Sequence, residues 1–226
     1  MDLDLQSRLL YRDGMMLIID KPAGLPVHAG PKGGPNLSAM LDALRFGLPR
    51  PPELAHRLDK DTSGCLVLGR HPRALRELGA LFSKGQVEKT YWAIVEGGPP
   101  EDHGRIDLAL AKRSPFRGWW MRPDPAGLPS ATLFSVLGRA DGLAWLELKP
   151  LTGRTHQLRV HCAASGFPIL GDEIYGTAPR TGSPTLHLHA RAVAVPLYPR
   201  KPAIEAEAVP PPHMLDRLSS FRENGT

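Results

Sequence analysis

Glycine and proline supply about one residue in five of this chain, 23 and 24 of its 226 residues. Neither is at home inside a helix, because proline lacks the backbone donor and glycine loses the most conformational freedom on folding. A chain so punctuated is broken into short elements by many turns, which argues against an all-helical bundle. The rest of the composition is ordinary. Hydrophobic residues make up 42% and charged residues 23%, as in folded globular proteins and unlike disordered ones. The length suits one large domain or two small ones, and with no strong linker in view one domain is expected. The net charge of +5 is compatible with a polyanionic partner but does not identify one.

Cys65 and Cys162 sit in the apolar strings GCLVL and VHCAA, where each reads as a small buried residue. They support neither a disulfide framework nor a cysteine-based zinc site. The opening MDLDLQSRLLYRDG carries acids where a secretory leader needs positive charge. No apolar run approaches the ~18 residues that would span a bilayer. The expectation is a cytoplasmic protein with no membrane partner.

Met15 to Lys21 is an apolar run closed by Pro22 and Gly24, and predicts a buried strand entering a turn. Asn36 caps a predicted helix running to about Phe46, with Leu37, Met40, Leu41 and Leu44 spaced for one face that packs on a sheet. Pro72 opens a second helix, with Leu75, Leu78, Leu81 and Phe82 on one side and Gly85 at its end. Arg154 to Ser165 has helical composition, and Met214 to Phe221 reads as a short surface helix. Strands are predicted at Cys65 to Leu68, Val87 to Val95, Ser130 to Leu137, Leu143 to Leu148 and Leu186 to Val195, with Asp141-Gly142 suited to a tight hairpin turn. Strands outnumber helices and do not alternate with them, so the expected class is α+β, with a largely antiparallel mixed sheet flanked by a few helices and loops.

Chemistry concentrates in a few stretches. His56 to Gly64, HRLDKDTSG, crowds acids, cations and hydroxyls just ahead of a predicted strand, where a scaffold presents reactive groups. The same string also reads as a charged turn. Asp59 and Asp61 do not suit a paired acid and base, because residues two apart share no helix face. One carboxylate with cationic support is the better geometry. Gly153 to His161, GRTHQLRVH, projects Arg159 from a helix, or else forms a solvated basic face. His156, His161, His187 and His189 raise a metal-dependent hydrolase, but His156 and His161 are spaced off one helix face and lack a clear acidic partner. Tyr91 lies in a predicted strand and by itself reads as core. Lys112 to Arg122, KRSPFRGWWMR, suits phosphates and stacked bases, or Trp119 and Trp120 simply close a hairpin.

Together these stretches resemble the RluA family of RNA pseudouridine synthases. The first motif looks like DKPAGLPVH, Asp20 to His28, and HRLDxxTSG is matched at every fixed position by His56 to Gly64. KxYxA is matched by Lys89, Tyr91 and Ala93, GRTHQLRVH followed by GxPIxGDxxYG from Gly153 to Gly176, and a closing LHA by Leu188 to Ala190. The resemblance covers about Met15 to Val195, and several ordered motifs are far more specific than any one of them.

The resemblance implies the pseudouridine synthase fold and the isomerisation of a uridine in structured tRNA or ribosomal RNA loops, without cofactor or metal. It makes Asp59 the catalytic aspartate, either attacking the anomeric carbon or taking a proton from the ribose. Arg159 then pairs with that aspartate, Tyr91 stacks on the target uracil, Arg57 fills the space left by the flipped nucleotide, and His56 either assists or packs. It places a short extension at residues 1–14, the catalytic domain at 15–208 and a tail at 209–226, and implies no obligate protein partner. Many relatives carry a small RNA-binding domain ahead of the catalytic one. Here about fourteen residues precede the region of resemblance, which begins near Met15, so target choice is expected to rest on the catalytic domain itself. A catalytically silent RNA-binding module is the alternative from another class, which intact Asp59, Tyr91 and Arg159 argue against.

Overall fold

The computed structural model describes residues 3–30, 33–114, 120–179 and 185–223. In chain order the strands and helices are β1 (Leu9–Arg12), β2 (Met16–Lys21), β3 (Glu53–Leu54), β4 (Ser63–Gly69), α1 (Pro72–Ser83), β5 (Glu88–Glu96), β6 (His103–Asp107) and β7 (Leu110–Lys112). They continue with β8 (Met121–Pro123), β9 (Ala131–Ala140), β10 (Leu143–Pro150), α2 (Gln157–Ala164), β11 (Leu188–Val195), β12 (Ile204–Glu207) and α3 (Pro212–Glu223). The class is the expected one, α+β with a largely antiparallel sheet. The chain forms two compact units, Met1–Lys89 with Ala190–Pro210, and Thr90–His189 with Pro211–Thr226.

In the first unit the strand order is β1-β2-β4-β11, with β3 pairing β4 and β12 pairing β11. β2 and β4 read as continuous apolar runs because both of their faces are covered; every residue of β4 is buried, as is all of β2 except Asp20. Their antiparallel register runs from Met16↔Gly69 to Lys21↔Gly64. Met16, Ile18, Cys65, Val67, Leu78, Val193 and Val195 share one core cluster. α1 starts where the sequence places it, with Pro72 in its first turn and the His71 side chain accepting the Ala74 N–H. The segment predicted as a helix from Asn36 forms as a 3-10 helix, Leu37–Leu44, capped by Asn36 and burying Leu37, Leu41 and Leu44. β1 was not predicted: LLYR is short and only half-buried, so no apolar alternation marks it.

In the second unit the order is β5-β10-β9-β6, and β7 and β8 form a separate two-stranded sheet. The β9–β10 turn has φ of 52° at Asp141 and 72° at Gly142, the doubly left-handed geometry that Asp-Gly favours in tight hairpins. β6 escapes a sequence reading because HGRID buries Ile106 alone. α2 begins at Gln157, three residues later than predicted, because His156 at its N-terminus has a left-handed backbone, φ 52°. His156 therefore precedes the helix and does not share a helical face with Arg159. The C-terminal helix forms at the surface as predicted, from Pro212 to Glu223; Leu215, Asp216, Arg217 and Ser219 are exposed, while Met214, Leu218 and Phe221 are buried in a cluster with Ile94. Among the described residues no helix is long and apolar enough to cross a membrane.

Candidate active site

The segment from His56 to Gly64 is an irregular loop that feeds β4, and its side chains alternate between anchoring and presenting. Leu58, Thr62 and Ser63 are buried, whereas Arg57 is exposed and Asp59 half-exposed. The Asp59 carbonyl accepts the Thr62 N–H at 3.2 Å, a reverse turn of the kind that favours Asp at its first position. His56 stacks on Phe82 with ring centroids 4.4 Å apart. Its Nε2 accepts the Val67 N–H at 3.0 Å, which requires a neutral ring. Burial, aided by the Lys89 charge, pushes its pKa down to about 3. His56 thus pins the loop to β4. At the loop's other end Gly64 has φ +105°, and a Cβ there would stand 2.2 Å from the Ala190 carbonyl oxygen. Only glycine allows that approach.

Lys21 holds the middle of the loop. It is fully buried, and its Nζ donates to the carbonyls of Pro22 and Leu25 at 2.8 Å and of Lys60 at 2.9 Å. An ammonium has three donors and no acceptor, so the cradle satisfies it completely. Burial lowers its pKa to about 8, against the pull of Asp61, Asp59 and Asp20, and it stays charged near neutrality. A cation is therefore fixed within the electrostatic reach of Asp59. The DKPAGLPVH string contains this lysine, yet the cradle was not legible, because its acceptors are backbone carbonyls that no residue type reveals.

Tyr91 and Arg159 belong to the second unit. Tyr91 is buried on β5 opposite Leu148 of β10. α2 carries Gln157, Arg159 and His161, all buried, so it is not a solvated basic face. Gln157 Nε2 donates to the Ala131 carbonyl at 3.0 Å and to Thr132 Oγ1 at 3.1 Å. His161 bonds Thr132 Oγ1 and Ser130 Oγ at 3.0 and 3.1 Å. Arg159, 5% exposed, donates Nε and one terminal nitrogen to Asp172, 1% exposed, at 2.8 and 2.7 Å. Burial would raise the Asp172 pKa, but the Arg159 hydrogen bonds and charge, with two backbone amides, bring it below the usual carboxylate value. Asp172 was missed as a partner: the sequence shows an acid in GDxxYG but not which cation it meets.

Among the described residues no three His, Cys, Asp or Glu side chains gather to hold a metal ion. Of the basic-aromatic stretch from Lys112 to Arg122, residues 115–119, including Trp119, lie outside the described residues; Arg113 stands over the Trp120 ring at 5.6 Å. A cavity of about 290 Å³ lies at the far end of β4, lined by Pro49, Pro51, Gly69, Arg70 and His71 among others. It holds none of the residues of the motifs above.

The family model of the RNA pseudouridylate synthases matches residues 15–164. The chain is 44% identical over 214 residues to an uncharacterised RNA pseudouridine synthase of Zymomonas mobilis, covering 94% of this chain and 97% of that one. It is 38% identical over 175 residues to ribosomal large subunit pseudouridine synthase C of Vibrio parahaemolyticus, covering 76% of this chain and 54% of that one. The solved structure of human RNA pseudouridylate synthase domain containing 4 superposes with a TM-score of 0.81 at 28% identity, covering 96% of this chain and 94% of that one. With the motifs in their order and the fold shared, the chain belongs to the RNA pseudouridylate synthases, in the RluA family, and is an isomerase acting on RNA.

Proposed function

We propose that Asp59 is the catalytic carboxylate that converts a uridine in a structured tRNA or ribosomal RNA loop to pseudouridine. The bond from the base nitrogen to the ribose breaks, the uracil turns, and the same sugar carbon is rejoined to carbon 5 of the base, whose proton is released as the nitrogen gains one. Nothing is oxidised and no other reactant is consumed. Asp59 acts on the ribose, by attack at the anomeric carbon or by taking a proton from the sugar. The observation that carries this reading is the fixed loop: His56, Lys21 and Gly64 pin it on three sides while Asp59 stays accessible.

The supporting residues follow from the same motifs. A carboxylate enclosed with a flipped nucleotide needs a cation nearby to stay charged, and Arg159 serves that need. Tyr91 stacks on the uracil. Extrusion of a base costs a few kcal/mol, least in a loop. Arg57, exposed beside the buried Leu58, occupies the vacated space, where a flat guanidinium stacks on bases and binds phosphate at once. His56 supports by holding the loop. The ribosomal RNA reading draws on the large-subunit name of the Vibrio relative, and the expected setting is the cytoplasm.

Tritium release from carbon 5 of labelled uridine in RNA tests the assignment. The native chain releases tritium and Asp59→Asn does not, while both bind the RNA. Equal release from the two would reject Asp59.

A further inference from the structure

The turn that follows β-bridge residue Ile169 is organised around one side chain. Asp172 Oδ1 accepts the backbone N–H groups of Ile174 and Tyr175 at 2.9 and 3.0 Å. The Asp172 carbonyl accepts the Gly176 N–H at 3.0 Å, and a Cβ on Gly176 would stand 2.7 Å from that oxygen. The carboxylate is thus oriented by its own turn, independently of Arg159. Both of its oxygens then face the guanidinium and take the Nε and terminal N–H groups in a two-point grip.

Tyr175 completes the arrangement. Its ring lies 5.4 Å from the guanidinium carbon of Arg159. Its Oη accepts the Met121 N–H at 2.9 Å and shares a hydrogen bond with His156 Nδ1 at 2.8 Å. One turn therefore sets the edge of the guanidinium through Asp172 and backs its face through Tyr175. Stability is a poor explanation for such a pair, since desolvating two charges consumes most of the attraction and apolar replacements are often no worse. What a two-point grip does deliver is direction, because a fork bound along one edge cannot rotate.

We infer that Asp172 is a positioning residue of the isomerisation, fixing the plane and reach of Arg159, with Tyr175 as its backing. The inference rests on the reading that Arg159 supports the acting carboxylate. No bond forms or breaks at Asp172, and it acts through Arg159 alone.

The test compares Asp172→Asn and Asp172→Glu, each alone and combined with Arg159→Met, in the full chain. The probe is total RNA carrying 5-tritiated uridine from cells that lack the enzyme. Release rate at saturation, RNA concentration for half-maximal rate and thermal melting are read for each variant. A misplaced positioning group should lower the saturated rate roughly 10- to 100-fold, with the half-maximal RNA concentration within about 3-fold of native. In the Arg159→Met background neither change should cost anything more, because residues acting through one group are not additive. Losses that multiply in the double variants, full rates in both single variants, or a loss confined to RNA affinity would each overturn the inference. If Asp172→Asn fails to fold, Asp172→Glu, which keeps the charge and lengthens the arm, decides by the same comparison. Unfolding of both would mean a purely structural role and overturn it too. A native rate from Arg159→Met alone would instead sink the reading of Arg159, and this inference with it.

Discussion

A lysine at the end of a strand usually reaches for water, and Lys21 instead spends all three donors on carbonyls. Removing the ammonium strands those acceptors in a dry interior, where an unsatisfied polar group costs more than its bond contributed. Lys21→Met should therefore lower the unfolding free energy by about 2–4 kcal/mol, measured by urea unfolding, and should slow tritium release as the turn around Lys60 loosens. At this scale the sequence disclosed residue types and order, which sufficed for Asp59, Tyr91 and Arg159 as candidates. It disclosed nothing about partners brought from afar. The Lys60 carbonyl that Lys21 meets lies 39 residues on, and the acid gripping Arg159 lies 13 residues on, across a turn. Such pairings depend on how the backbone comes together, which no single position encodes.

Among the elements, those whose pattern repeats were legible and those that depend on a neighbour were not. β2, β4, β5, β9, β10 and α1 each carry an apolar run, an alternation or a capped face. β6 and β12 are short and lean on one or two buried residues apiece. α3 illustrates the same limit in reverse, since its weak apolar face looks solvent-borne until Ile94 and the partly buried Trp145 are seen packed against it. Leu218, 4% exposed, should be a structural anchor of the second unit. Leu218→Ala should cost about 2–4 kcal/mol, checked as a lower melting temperature.

For the whole molecule the titration of buried histidines sets an acid limit. Burial comes first among the causes that lower the pKa of His56, His161 and His187, joined by the Lys89 charge at His56 and by His213 at His187. Below about pH 6.5 the unfolded chain takes up protons on these rings, whereas folded His56 resists until about 3. The unfolded state then binds more protons, so stability falls as the pH drops through that window. Asp172 and Asp13, held below their ordinary value in the fold, add to the loss only at lower pH. Urea unfolding should give a smaller free energy at pH 5 than at pH 7, with His56 contributing a loss of up to about 1.4 kcal/mol per pH unit. His56→Gln should flatten that decline by one histidine's share.

The close approach of Gly64 to Ala190 also has a bearing on biosynthesis. Cys65, the next residue, reaches a carbonyl 126 positions later, so the first unit cannot close until Arg191 has been translated. At roughly 10 residues per second that is a wait of about ten seconds, during which β4 has β2 beside it but not yet β11. Termination ahead of that distant strand would leave β4 without its β11 neighbour, so activity is expected only from chains that have passed it.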